Sequence, residues 1–179
     1  MPILTSPMRK WPNSLIKRPM RILGIDPGLK ATGYGFIDVD GNQVKLKEAG
    51  VIEPKSKDLI QNRIFKIHQN LNELLLQHKP DVMVLEKLYA HYKHPVTAAI
   101  LGHARGVICL LCAERQVPLK EYSVKRIRQA LTGNGNATKQ QTLRVVSQTL
   151  HINESQLTLD ASDALALALG HVHMVRARL

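Results

Sequence analysis

The order of predicted strands and helices constrains the fold of this chain more than any other feature of its sequence. Three short segments typical of β-strands come first, at residues 21–26, 33–39 and 44–53. Pro-Gly and Asp-Gly-Asn turn signals separate them, which predicts an antiparallel meander. Predicted helices then alternate with two more strands, at residues 58–79, 81–86, 95–115, 118–122, 123–131, 139–150 and 160–175. This order predicts an α/β layer fold, in which a mixed five-stranded sheet carries the meander at one edge and is flanked by helices.

Four carboxylates lie where the predicted elements begin or end. Asp26 ends the first strand, and Glu86 ends the fourth. Asp160 and Asp163 open the last helix three positions apart, so both face the same side of its first turn. Hard divalent cations prefer oxygen ligands that several rigid segments of a chain hold in place. The four positions therefore predict a metal site with the layout of a nuclease.

A simpler explanation exists for some of these acids. Aspartate is common at the N-cap and first turn of helices, and capping is the simpler role for Asp160 or Asp163 taken alone. Glu86 is harder to explain in this way because it ends a nearly continuous apolar strand, at residues 81–86. A carboxylate buried there destabilises the fold unless it is paired or metal-bound. Together the placements favour the metal site.

The chain is strongly basic. Its 179 residues include 25 Lys and Arg against 14 Asp and Glu, a formal net charge of +11 at pH 7. This charge favours a polyanionic partner such as nucleic acid, although charge alone leaves an ordinary basic protein as an equal alternative. Because acidic residues are few, the four carboxylates at element ends are hard to explain as solubilising surface charge.

The first 20 residues differ in composition from the rest. Residues 1–20 are rich in proline, carry four basic residues and have no acid. This predicts a disordered basic extension, or a segment upstream of a true start at Met20, followed by one domain at residues 21–179. No apolar stretch reaches the roughly 20 residues of a membrane span. Cys109 and Cys112 suit reduced thiols in the core of a cytoplasmic protein.

A glycine-rich turn follows the first strand. Gly28 and Gly33 allow tight backbone geometry, so a phosphate or metal is expected to approach the chain beside Asp26. The turn is not a P-loop, because no G-x-x-x-x-G-K-[ST] pattern leads from a strand into a helix. Sugar kinases and chaperone ATPases share such a turn, so a nucleotide-binding phosphotransferase is a second hypothesis, although such proteins are usually longer.

Four motifs in the chain are similar to those of a known nuclease family. They are G-I-D-P-G-x-x-x-T-G-Y-G at residues 24–35, L-E-K-L-Y at 85–89, L-G-x-A-R-G at 101–106 and D-A-S-D-A-L-A-L-A at 160–168. From about Arg21 to Arg178 the chain resembles RuvC-type Holliday junction resolvases, a branch of the ribonuclease-H-like superfamily. The resemblance implies a ribonuclease-H-like nuclease domain at residues 21–179.

The resemblance also implies an activity. The family's four metal-binding acids correspond to Asp26, Glu86, Asp160 and Asp163, which would use two Mg²⁺ ions, with Mn²⁺ able to substitute, to hydrolyse phosphodiester bonds. A homodimer would bind a four-way DNA junction and nick two opposed strands symmetrically, in recombination and DNA repair. RuvA–RuvB branch-migration partners are expected on the same basis. A catalytically silent junction-binding module is a third hypothesis, which the retention of all four acids disfavours.

DNA contacts follow from the same resemblance. The family's aromatic wedge residue, three positions after the strand-end glutamate, corresponds to Tyr89, whose ring would stack on a base. Arg128 and Lys139 correspond to two basic residues near the scissile strand, although lysine is usual at the first of these. Lys125 is the third candidate from a basic cluster at residues 115–144.

The roles of three further residues stay open at this point. Arg105, within the third motif, fits a structural role and a DNA contact equally well. Two histidines follow Tyr89 and suit phosphate contact and solvent exposure equally: His91 and His94.

Overall fold

The computed structural model describes residues 18–87 and 95–177. Within these ranges the chain forms five strands: β1 (Met20–Asp26), β2 (Thr32–Asp40), β3 (Gln43–Ile52), β4 (Val82–Glu86) and β5 (Leu119–Tyr122). The same ranges contain five α-helices: α1 (Ile60–His78), α2 (Pro95–Glu114), α3 (Val124–Thr132), α4 (Lys139–Leu150) and α5 (Leu159–Arg176). None of the helices in this part of the chain has the length and hydropathy to span a membrane.

The strands form one mixed sheet with the order β3-β2-β1-β4-β5. β2 pairs antiparallel with both β1 and β3, so the predicted meander forms one edge of the sheet. β4 pairs parallel with β1 and with β5. The predicted mixed five-stranded α/β fold is confirmed, and the predicted bounds of each element agree with the structure to within two residues.

Side chains from the two faces of the central strands fill two separate cores. Successive residues of a strand point to opposite faces, so in β4 Val84 packs beneath α5 whereas Met83 and Leu85 pack beneath α1 and α2. α3 and α4 pack beside α5 on the first face. The apolar run that ends at Glu86 is therefore buried on both faces, as its composition predicts.

Glycines on β1 and β2 let α5 lie directly on the sheet. A Cβ at Gly24 would collide with the carbonyl oxygen of Ala164, and a Cβ at Gly33 would collide with that of Asp160. The expectation that Gly33 leaves room for a phosphate or metal is therefore wrong, because the backbone of α5 fills this space. Since Gly33 pairs with Asp26 across the β1–β2 ladder, the close contact holds the start of α5 beside Asp26.

The described part of the chain starts within the predicted basic extension. Arg18 forms an ion pair with Asp81 at 2.7 Å, and Met20 is the first residue of β1. Residues 1–17 lie outside the described residues, so the disorder expected for them stays a prediction.

Candidate active site

The register of β1 and β4 brings Asp26 and Glu86 together. Ile25 pairs with Leu85 in the parallel ladder, so the residues that follow them end neighbouring strands at the same level. Asp26 is two residues after Gly24, which contacts α5, and strand periodicity turns its side chain to the same face. Glu86 is likewise two residues after Val84, whose side chain packs in the core beneath α5. Both carboxylates therefore lie on the α5 side of the sheet.

α5 supplies the other two predicted ligands. Its N-cap is Thr158, whose hydroxyl oxygen accepts a hydrogen bond from the backbone N–H of Ala161 at 3.2 Å. Asp160 is not the cap but lies in the first turn, where an acidic side chain also suits the helix dipole. Asp163 is one turn further along and reaches the cleft that contains Asp26.

An open cleft contains three of the four predicted ligands. Its lining residues are Asp26, Glu86, Val124, Ile127, Arg128, Lys139, Thr142, Asp163, Ala166 and Leu167. Asp160 does not line this cleft. The negative charge of Asp160 nevertheless raises the pKa values of Asp26 and Lys139. Asp160 therefore interacts electrostatically with side chains of the cleft without lining it.

Burial and mutual repulsion disfavour negative charge in the cleft. The pKa of Asp26 rises from 3.8 to about 7, with burial as the largest cause, followed by the charges of Asp163 and Glu86. Burial and then the charge of Asp163 also raise the pKa of Glu86, while Lys139 and Arg128 act in the opposite direction. Near neutral pH the cleft therefore favours a bound proton or another cation.

Lys139 contributes a positive charge to the cleft. It is the first residue of α4, whose start is held by a capping box between Thr138 and Gln141. The Nζ atom of Lys139 lies 2.5 Å from Oδ2 of Asp163. This ion pair is the largest cause of a raised pKa at Lys139, which therefore stays protonated over the physiological range. The ammonium balances part of the negative charge in the cleft.

The donor atoms of the cleft suit a divalent cation, although the side chains do not enclose one. Among residues 18–87 and 95–177, no three His, Cys, Asp or Glu side chains are grouped so as to hold a metal ion. One oxygen of Asp163 is instead taken by Lys139. Asp26 and Glu86 offer hard oxygen donors, and a divalent cation would relieve the repulsion between them.

The predicted DNA contacts differ in their position. Arg128 lines the cleft, and its charge lowers the pKa of Glu86. Lys125 is exposed on α3 and is not among the residues that line the cleft, and its side chain packs against Gly135. The remaining assignments lie outside the described residues: Tyr89, His91 and His94.

Arg105 is the site residue whose role the sequence left open. Its guanidinium donates a hydrogen bond to the backbone carbonyl oxygen of Glu86 and forms an ion pair with Glu121. The structure therefore supports the structural alternative. The only signal in the sequence was its position within the third motif.

The two cysteines of α2 differ in exposure. Cys112 is buried, and its sulfur contacts that of Met83 at 3.4 Å. Cys109 is exposed, so the expectation of a core thiol is wrong there, because it lies on the side of α2 that faces away from the sheet.

Comparison with known sequences gives a consistent family. The family model described as crossover junction endodeoxyribonuclease RuvC matches residues 22–171. A relative with this description from Rhodopirellula baltica is 44% identical over 151 residues, which cover 84% of this chain and 85% of the relative. Another, from Finegoldia magna, is 39% identical over 153 residues, which cover 86% of this chain and 93% of the relative.

Solved structures agree with the sequence comparisons. Thermus thermophilus RuvC in complex with a Holliday junction substrate superposes with a TM-score of 0.83 and 29% identity, covering 89% of this chain and 96% of that one. The yeast mitochondrial Holliday junction resolvase Ydc2 superposes with a TM-score of 0.65 over 91% of this chain and 82% of that one. Its identity is 18%, so this second similarity concerns the fold alone.

Proposed function

Because the chain belongs to the RuvC family of crossover junction endodeoxyribonucleases, we propose that its carboxylate cleft hydrolyses phosphodiester bonds to resolve Holliday junctions. The enzyme acts in homologous recombination and DNA repair, where such junctions arise. The main observation in support of the proposal is that Asp26, Glu86 and Asp163 line one cleft. Lys139 lies beside them in the same cleft. The family match, which spans residues 22–171, replaces the phosphotransferase hypothesis.

Members of this family are metal-dependent nucleases, and we infer that two Mg²⁺ ions are held by Asp26, Glu86, Asp160 and Asp163. Ions held in this way would lower the pKa of an attacking water and stabilise the leaving oxygen. Asp26 and Glu86 end adjacent strands and Asp163 lies on a helix packed against them, so rigid elements carry the ligands. Asp26 would have to be ionised to hold a metal ion, because its pKa of about 7 belongs to the metal-free site.

The basic residues of the cleft hold the DNA strand. A metal ion held by Asp163 would leave Nζ of Lys139 able to donate a hydrogen bond to a phosphate oxygen. Arg128 adds a second positive charge on the cleft wall, and exposed Lys125 contacts the backbone further out. We assign to Tyr89 the stacking role that the family resemblance implies.

The outward face of α2 is a suitable surface for the homodimer. Leu110 is 52% exposed on it. Gly102 and Gly106 have open space where a Cβ would be, so nothing within the described protomer explains two glycines in a helix, each of which costs about 1 kcal/mol relative to alanine. A second copy packing closely on α2 would account for both features.

RuvA–RuvB partners and a cytoplasmic location belong to the same proposal through the family resemblance.

The dimer surface can be tested by placing a charge on it. Leu110→Glu should convert a dimer to a monomer in analytical ultracentrifugation, because a carboxylate in an apolar interface loses its hydration. The monomer should no longer cut two opposed strands in a coordinated way. Leu76→Glu, at a leucine on α1 that is 50% exposed, is the matched control and should stay dimeric. If the Leu110→Glu protein remains dimeric, the dimer interface does not include this face of α2.

The proposed function is tested with a mobile synthetic four-way junction. In Mg²⁺ the protein should produce two nicks at symmetric positions, while a linear duplex of the same sequence stays intact. Mn²⁺ should replace Mg²⁺, and Ca²⁺ should support junction binding without cleavage because its looser coordination does not reproduce the octahedral geometry. Denaturing gels report the products. Cleavage in EDTA, or equal cleavage of the duplex, would contradict the proposal.

A further inference from the structure

Arg105 is a largely buried residue of α2 whose side chain reaches the end of β4. The side chain is 13% exposed. Its Nη1 donates a hydrogen bond to the backbone carbonyl oxygen of Glu86 at 2.5 Å, and its Nη2 forms an ion pair with Oε1 of Glu121 on β5. Both arms of the guanidinium are therefore engaged inside the protein.

These contacts join three elements at the place where Glu86 ends its strand. Leu85 pairs with Glu121 in the β4–β5 ladder, so Arg105 connects neighbouring strand ends. The backbone N–H of Lys87 donates to the carbonyl oxygen of Tyr122 at 2.8 Å. β5 thus holds the peptide that follows Glu86, while Arg105 holds the carbonyl oxygen of Glu86 itself. The main chain is fixed on both sides of the carboxylate.

We propose that Arg105 is a positioning residue that fixes the orientation of Glu86 for metal binding, an inference that rests on the nuclease function proposed above. A buried charge destabilises a protein unless its donors are satisfied, and the planar fork of arginine can serve two acceptors at a fixed angle. Lysine cannot reproduce this geometry.

Two other roles make different predictions for Arg105. A DNA contact needs donors that face solvent, whereas both arms of Arg105 are directed at protein oxygens. A role in stability alone would change the melting temperature but not the affinity of a correctly folded site for a metal ion. The metal affinity therefore separates positioning from both alternatives.

The experiment compares Arg105→Gln, Arg105→Lys and Glu121→Ala with the parent protein. Arg115→Gln is the matched control, because Arg115 follows the same helix and hydrogen-bonds Asn72. Calorimetry measures Mn²⁺ affinity in the DNA-free protein. Junction affinity and single-turnover cleavage in Mg²⁺ are measured in parallel, below the melting temperature of every variant.

Arg105→Gln should weaken Mn²⁺ binding and slow cleavage, each by about 10- to 100-fold, the usual cost of losing a partner that orients a metal ligand. Its junction affinity should equal that of the parent. Arg105→Lys should restore only part of the loss, because a single ammonium cannot serve both oxygens in the same geometry. Glu121→Ala should also weaken Mn²⁺ binding and slow cleavage, but by a smaller factor than Arg105→Gln. Arg115→Gln should match the parent in both measurements.

A folded Arg105→Gln protein with the Mn²⁺ affinity of the parent would overturn the proposal. A matching loss of junction affinity and cleavage would also overturn it, because Arg105 would then be a DNA contact. If Arg105→Gln does not fold, Glu121→Ala decides the question by the same measurements. A parent protein that leaves junctions intact would count against the nuclease function, while the Mn²⁺ affinities would still test Arg105.

Discussion

Asp26→Asn is expected to abolish junction cleavage without weakening junction binding. The amide removes a charged metal ligand, and a bound metal supplies several kcal/mol of charge stabilisation in the transition state, so the rate should fall by roughly a thousandfold or more. The same result is expected for Glu86→Gln, Asp160→Asn and Asp163→Asn. Because each change also removes negative charge next to a phosphate backbone, junction affinity should be equal or higher. Single-turnover cleavage and gel-shift titration measure the two effects.

Asp160→Asn is the most informative of these variants, because Asp160 does not line the cleft shared by the other three acids. A large loss of cleavage would place its side chain at the metal ions in the DNA-bound enzyme. Cleavage at the parent rate would remove Asp160 from the site and leave three ligands. Asp40→Asn, at an exposed carboxylate that ends β2, is the control and should behave like the parent.

The sheet and the positions of its two carboxylates could be predicted because both depend on local patterns. Alternation of apolar residues, turn signals and a nearly continuous apolar run identify the strands, and Asp26 and Glu86 follow at their ends. The register that aligns them is a tertiary property. A shift of β4 by one residue would turn Glu86 to the opposite face, and nothing local in the sequence excludes such a shift.

Side-chain partners distant in the chain were not predictable in the same way. Lys139 and Asp163 are 24 positions apart, and Arg105 and Glu86 are 19 apart, so each contact depends on how helices pack onto the sheet. Gly33 shows the same difficulty, because a glycine in the sequence indicates close approach without identifying what approaches. A ligand was expected there, and the backbone of α5 occupies the position.

Asp26 should make the stability of the metal-free protein strongly dependent on pH. Its contribution to the free energy of unfolding should fall as the pH rises. The pKa of Asp26 is about 7 in the folded protein against an ordinary value of 3.8, so the folded state binds a proton more tightly than the unfolded chain. This contribution is fully present below pH 3.8 and is lost as the pH rises towards 7. At about 1.4 kcal/mol for each pH unit, the total change is about 4 kcal/mol at most.

Asp26→Asn isolates this effect, because an amide keeps the shape of the side chain and does not titrate. In EDTA at about pH 8, urea denaturation should show the variant to be more stable than the parent by up to about 4 kcal/mol, and the difference should vanish near pH 4. Comparing the two proteins cancels the titration of groups they share, and Asp40→Asn controls for the loss of one charge. Mg²⁺ should stabilise the parent at about pH 8 more than it stabilises the variant, since binding to the folded state alone adds to stability. If the difference in stability between the two proteins is the same at every pH, the pKa of Asp26 is not raised in the folded protein. The inference that the metal-free cleft disfavours negative charge would then be wrong.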